Sequence, residues 1–207
     1  MQRKPQLWIV LGLLALFGNL SGLVYAQEAG TCVRGKPTAP VKIEIFSDFQ
    51  CPACRAFYLQ TMRQIFKDYA DTGKVCVVYR SYPQDTHEYA VPAARYGQAA
   101  LRVGTAQWNQ VADALFSNQD QWGQSGDIES VLSKTVSKAD MDAIRKQMQN
   151  TDGLDQSIYN DIQLGISRNV GSTPTFFISG QGKTETVEAA LTYNGLKQRL
   201  DQRLGNK

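Results

Sequence analysis

Cys51 and Cys54 are the residues of this chain whose type and spacing could do chemistry together. Two cysteines three positions apart at a helix start place both sulfurs on one side of the first turn, near enough to close a small disulfide ring. Such a pair either exchanges disulfides or supplies half of a metal site. The surroundings favour exchange. Cys51 is expected at the exposed mouth of a helix, where unpaired amides and the positive end of the dipole stabilise a thiolate. Its pKa should then lie below the ordinary value of about 8.5. Cys54, one turn in, should be more buried. Cys51 is therefore the expected nucleophile and Cys54 the resolving thiol, with substrate passing through a mixed disulfide at Cys51. Pro52 fits the first helical position, which needs no amide bond, and Ala53 completes the motif.

Blander readings exist for the same residues. The pair could be a structural disulfide, or all four cysteines, at 32, 51, 54 and 76, could bind zinc. A zinc site built from all four would have only one close pair, whereas structural zinc sites usually show two. His87 is the only histidine, and its default role is a helix-start or core residue. A cysteine-based binding or metallochaperone module is the remaining non-enzymatic reading.

The elements that must position the pair can be read around it. Residues 41–46 are β-rich and continuous, as for a central strand, and end just before Ser47-Asp48. From 53 to 69 the apolar residues Phe57, Tyr58, Met62, Ile65, Phe66 and Tyr69 fall at helical spacing. Residues 74–80, with Val75-Cys76-Val77-Val78-Tyr79, read as a second buried strand. A strand–helix–strand unit of this kind crosses over right-handed. Residues 88–163 then read as helical throughout. Sheet character returns at 175–179, with a turn at Gly180-Gln181-Gly182, a hairpin partner at 184–189 and a closing helix at 191–204. Thr173-Pro174 precedes that late strand. A trans proline opening a strand is the default; a cis proline beside the disulfide would leave the Thr173 carbonyl and amide open to an extended substrate.

The first 26 residues differ from the rest. Arg3 and Lys4 precede an unbroken apolar run over 7–18, and Val24-Tyr25-Ala26 resembles a cleavage site, so residues 1–26 read as a signal peptide cut after Ala26. The alternative is an uncleaved anchor, since residues 7–26 are just long enough to span a bilayer. Export implies an oxidising compartment. Without Arg3 and Lys4, the count of Lys and Arg falls from 22 to 20 against 19 acids, so the mature body is near neutral and makes no case for nucleic acid. Hydrophobic residues at 43% and charged residues at 20% are ordinary for a globular domain.

The run from Ala39 through Phe46-Ser47-Asp48-Phe49-Gln50-Cys51-Pro52-Ala53-Cys54 resembles the DsbA-like branch of the thioredoxin superfamily. So do His87 with the alanines after it, Ala114-Leu115-Phe116-Ser117-Asn118-Gln119 with Trp122, and Thr173-Pro174-Thr175-Phe176-Phe177-Ile178. The resemblance covers residues 31–204. It implies an α/β protein: a thioredoxin-like fold over 27–207, with a central mixed sheet and an inserted all-helical subdomain at about 86–163. It implies that Cys51 attacks, Cys54 resolves, and Pro174 is cis with Thr173 beside it. No cofactor is implied. The expected role is dithiol–disulfide exchange in exported proteins of the periplasm or another extracytoplasmic part of the envelope. An oxidising member would be re-oxidised by a membrane partner of the DsbB or VKOR kind; a reductase or isomerase would be served by a reducing membrane partner. In the thioredoxin topology Cys32 would lie beside the strand containing Cys76, so these two could form a structural disulfide. With no dimerisation domain between Gln27 and the first strand, a monomer is expected, which tilts the direction toward oxidase.

Two positions depart from the family. Strong oxidants often carry Pro-His between the cysteines, and Ala53 offers no imidazole to the Cys51 thiolate. Relatives also often place a buried acid six residues before the first cysteine, where this chain has Ile45. Glu44 is adjacent but should face the other side of the strand, unless a bulge brings it round.

Overall fold

The computed structural model describes residues 30–205. The signal-peptide or anchor expectation for residues 1–26 lies outside them. Five strands form one mixed sheet in the order β1-β3-β2-β4-β5: β1 (Cys32–Arg34), β2 (Val41–Ser47), β3 (Val75–Ser81), β4 (Thr175–Gly180) and β5 (Lys183–Glu188). β2 and β3 are parallel, and the other pairs are antiparallel. The central strands are buried on both faces, which explains their continuous apolar runs. The edges are short or polar. β1 has three residues and an irregular register, and β5 reads Lys-Thr-Glu-Thr-Val-Glu. Both devices discourage further strand pairing. The β4–β5 turn is two residues long, Gln181 and Gly182, both at positive φ. That geometry makes Gly180 a strand residue paired with Lys183, so β5 starts one residue earlier than expected.

The helix after β2 is α1, continuous over residues 52–70. It begins as Pro52–Phe57, widens into π turns at Tyr58–Met62, tightens at Arg63–Ile65 and widens again at Phe66–Ala70. The buried residues explain the alternation. They come as adjacent pairs every four positions: Phe57 and Tyr58, Thr61 and Met62, Ile65 and Phe66, Tyr69 and Ala70. An α-helix turns once in 3.6 residues and would carry such pairs progressively off one face. Wider π turns slow that drift and keep all four pairs on the sheet.

Between β3 and β4 come α2 (Ala90–Val103), α3 (Thr105–Ser117), α4 (Gln119–Ser125), α5 (Ile128–Thr135), α6 (Lys138–Met148) and α7 (Thr151–Ser167). Side chains of Asp127, Ser137 and Asn150 cap the last three. α7 runs four residues past the expected limit at 163, and in its last turn Gly165 packs where a Cβ would strike the rings of Tyr82 and Phe46. The closing helix α8 (Tyr193–Leu204) starts two residues later than expected, since Thr192 serves as its N-cap and accepts from the Gly195 amide.

The two sheet faces differ in content. One carries Ile43, Ile45, Val75, Val77, Tyr79, Phe176 and Ile178 and joins the main core with α1, α3 and α8. The other carries Phe46 and Phe177 with Val170, and a buried charge cluster. There Glu44 accepts from Arg80 at 2.7 Å and Arg168 at 3.0 Å, while Arg80 also donates to Asp161 of α7 at 3.2 Å. Burial lifts the Asp161 carboxyl to about 6 despite its guanidinium neighbour. β2 and β3 pair without interruption from Val41 to Ser47. No bulge turns Glu44 toward the cysteines, and Ile45 occupies that side.

Candidate active site

The cysteine motif is built by the chain's exit from β2. Asp48 is buried and its carboxylate accepts from the Gln50 amide at 2.7 Å, the Gln84 amide at 3.0 Å and His87 Nδ1 at 2.5 Å. One side chain thus ties the β2 exit to the segment before α2. His87 serves this connection rather than either sulfur. The helical region braces the same loop. The Gln119 side-chain amide donates to the carbonyls of Phe49 at 2.7 Å and Cys51 at 3.1 Å. The Gln50 side chain donates to the Gly123 carbonyl at 2.9 Å and accepts from the Tyr89 amide at 2.7 Å. Phe49 fills the space beneath, and Gly97 is needed there because a Cβ would sit 2.7 Å from its ring.

Cys51 is the residue before the first helical position, which Pro52 fills. The expected exposed sulfur is corrected here: Cys51 is only 7% exposed. It is recessed because the Thr173-Pro174 segment lies against it, and its Sγ donates to the Thr173 carbonyl at 3.5 Å. The Thr173-Pro174 peptide is cis. Cys54 is 1% exposed, beneath the first turn.

The two thiols are pushed in opposite directions. Cys51 is lowered to about 5, first by the Cys54 thiol and then by the Thr173 hydroxyl and the Cys54 and Ala53 amides, against the effect of burial. The Thr173 carbonyl favours the protonated sulfur, but the groups donating to the thiolate outweigh it. Burial pushes the Cys54 thiol well up, and the neighbouring Cys51 charge adds to that. Ala53 contributes through its backbone alone.

Cys32 and Cys76 are joined in a disulfide with Cα atoms 5.4 Å apart, on β1 and β3. They lie on the sheet face away from Cys54, in a small cluster with Val78. With two of the four sulfurs bonded to one another, a four-thiolate metal site is not assembled. Sequence reasoning named the cysteines, Thr173 and Pro174, but missed Ser47, Tyr79 and Gln119 as their neighbours. Gln119 carries no local signal, because its partners are 68 and 70 positions away. Ser47 and Tyr79 could have been placed by period-two reading of the strands on the Ile45 face.

Known proteins resemble this arrangement. A family model described as thioredoxin matches residues 27–202. The probable disulfide bond formation protein D of Bacillus cereus is 24% identical over 174 residues, covering 82% of this chain and 77% of that protein. The crystal structure of alpha-DsbA1 from Wolbachia pipientis superposes with a TM-score of 0.69 at 21% identity, over 83% of this chain and 89% of that one. Oxidised BdbD from Bacillus subtilis gives 0.68 at 20% identity, over 84% and 91%. With the family model spanning most of the sequence, and with helices interrupting its sheet as in the DsbA structures, this chain belongs to the thioredoxin family and has its DsbA-like fold.

Proposed function

We propose that this protein is a thiol–disulfide oxidoreductase that donates its Cys51–Cys54 disulfide to exported proteins. The opposed thiol pKa values carry the reading. A Cys51 thiol at about 5 is ionised at neutral pH, which stabilises the reduced form. A pair whose reduced form is stabilised is an oxidant, as in DsbA at about −120 mV against about −270 mV for thioredoxin. A substrate thiolate attacks Cys51, Cys54 leaves, and a second substrate thiol then releases Cys51 as a thiolate. Thr173 and cis Pro174 border the recessed sulfur and offer backbone groups to an extended substrate. The groove between Ala56, Phe57, Gln60 and the segment from Ala190 to Tyr193 gives the substrate a flanking surface. The Bacillus relatives named for disulfide bond formation support the same activity.

Work in the periplasm or another extracytoplasmic compartment fits this chemistry, as does re-oxidation by a membrane partner of the DsbB or VKOR kind. No helix among the described residues is long and apolar enough to cross a membrane. Equilibration with glutathione tests the direction: a potential of about −270 mV, that of thioredoxin, would remove the oxidase reading. A Cys54→Ser protein isolated from the envelope should carry substrates bound at Cys51, which identifies them.

A further inference from the structure

β2 ends in a serine. By the two-residue period of a strand, Ser47 falls on the same face as Ile43 and Ile45, the face that packs against α1. Ser47 is 4% exposed and lines a narrow cavity with Ile45, Cys54, Phe57, Met62 and Trp108. A hydroxyl in such surroundings costs free energy unless it is hydrogen-bonded. Its partner there is a sulfur. Burial pushes the Cys54 thiol well up and the Cys51 charge adds to that, while the Asp48 amide and the Ser47 hydroxyl donate toward Cys54 Sγ and pull the other way. Ser47 is also the polar neighbour of the Tyr79 hydroxyl, which carries a hydrogen of its own and does not need the one on Ser47.

The backbone holds both donors in place. Ser47 pairs with Ser81 in the parallel register, and its carbonyl accepts from the Tyr82 amide at 2.9 Å. The Asp48 carbonyl accepts from the Cys51 amide at 3.2 Å. The Asp48 carboxylate is engaged with His87 and the amides of Gln50 and Gln84, so this residue meets Cys54 through its amide.

We propose that the Ser47 hydroxyl, together with the Asp48 amide, forms a two-donor seat for the Cys54 sulfur as it leaves the active-site disulfide. The inference rests on the exchange reading above. In the step concerned, a substrate thiolate bonds to Cys51 Sγ as the Cys51–Cys54 bond breaks, and the electron pair departs on Cys54 Sγ. The substrate sulfur is oxidised to a mixed disulfide and Cys54 is reduced. Cys54 then takes up a proton from solvent, matching the one the substrate thiol gave up before attack. The structure holds Cys54 as a free thiol, the state in which its sulfur has already left, and both donors reach it there. A sulfur within a disulfide is neutral and accepts weakly, whereas the departing sulfur carries charge and accepts strongly. The seat therefore favours the transition state over the disulfide and speeds the step. A leaving thiol of lower pKa also leaves faster.

The test compares oxidised wild-type protein with Ser47→Ala during reduction by dithiothreitol, followed by quenching and mass analysis. The variant should be reduced about tenfold more slowly. Cys54 stays protonated in the reduced protein at neutral pH, so the equilibrium with glutathione should change by less than about twofold. In a Cys51→Ala background, Ser47→Ala should raise the pH at which Cys54 ionises, followed by thiolate absorbance. Ser47→Thr, which keeps the hydroxyl, should recover most of the rate. Reduction of Ser47→Ala at the wild-type rate, or unchanged Cys54 ionisation, overturns the proposal. So does a slowing matched by an equal shift of the glutathione equilibrium, or a Thr variant as slow as Ala, since either assigns the effect to packing. Alkylation of Cys51 at the wild-type rate shows that the fold is intact; should Ser47→Ala fail that check, Ser47→Gly carries the same expectations. Failure of the exchange reading shows separately, as an oxidised wild-type protein that passes no disulfide to a reduced substrate; that result removes the role of Ser47 with it.

Discussion

The chain holds two cysteine pairs, and they differ in almost everything except element. Cys51 and Cys54 are three residues apart on one helix, free in this structure, and polarised so that one sulfur holds charge and the other resists it. Cys32 and Cys76 are 44 residues apart on neighbouring strands and bonded, on the opposite sheet face. A helix mouth supplies amides that stabilise a thiolate, and so makes reduction favourable. A strand pair supplies no such donors, and a bond there chiefly restrains the unfolded chain. Position in the fold, more than the cysteine itself, separates a reagent from a staple.

The largest effect that would break the comparison is loss of the nucleophile. Cys51→Ser should abolish reduction of insulin, with secondary structure by circular dichroism unchanged; residual turnover above background would give Cys54 or the other pair a catalytic role. Next comes the staple. Replacing Cys32 and Cys76 by Ala should lower unfolding free energy by about 4 kcal/mol, as expected for a loop of this length, in urea titrations of the two proteins. The Cys51 alkylation profile should stay in place. If it moves, the two pairs are coupled across the sheet.

The third test sharpens the contrast by pH. Alkylation of reduced wild-type protein should reach a plateau above about pH 6 and fall through an inflection at about 5. Stability should follow the same group. Between about pH 5 and the ordinary thiol value of about 8.5, the folded Cys51 has lost its proton while the unfolded one keeps it. The reduced protein therefore gains stability as pH rises through that window, and loses it as pH falls toward the folded value. The oxidised protein has no such term. The difference between the two denaturation midpoints should widen with pH up to that limit; a constant difference would contradict a depressed Cys51. The smallest effect is expected from Thr173→Val, which removes one donor to the thiolate. It should shift the alkylation inflection upward while leaving the Cys32–Cys76 bond and overall stability nearly unchanged.

Much of this was legible in the sequence because its signals are local. The apolar runs of β2 and β3 announce strands buried on both faces, and the cysteine motif announces a helix mouth. Thr192 was less legible as a boundary, since a cap is recognised only once the first helical amide it serves is known. The four-residue repeat of buried pairs in α1 was visible in part, but Thr61 and Ala70 look neutral, so the π turns were not foreseen. The resemblance placed Thr173 and Pro174 beside the pair, but did not show how deeply they recess Cys51. The recess is made by Thr173, 122 positions away, and no spacing rule along the chain records that approach.

The two bonds from the Gln119 side chain bear on how this architecture can be re-engineered. They satisfy carbonyls on both sides of the Cys51 amide from a helix that a designer would regard as ornament. Trimming residues 90–167 to obtain a minimal redox scaffold would strip those acceptors of their donor and uncover Phe49. Grafting the tetrapeptide onto a bare sheet-and-helix host would import the sulfurs without the scaffolding that keeps them at their stations. The helices and the thiols are one machine part, and transplantation has to move both.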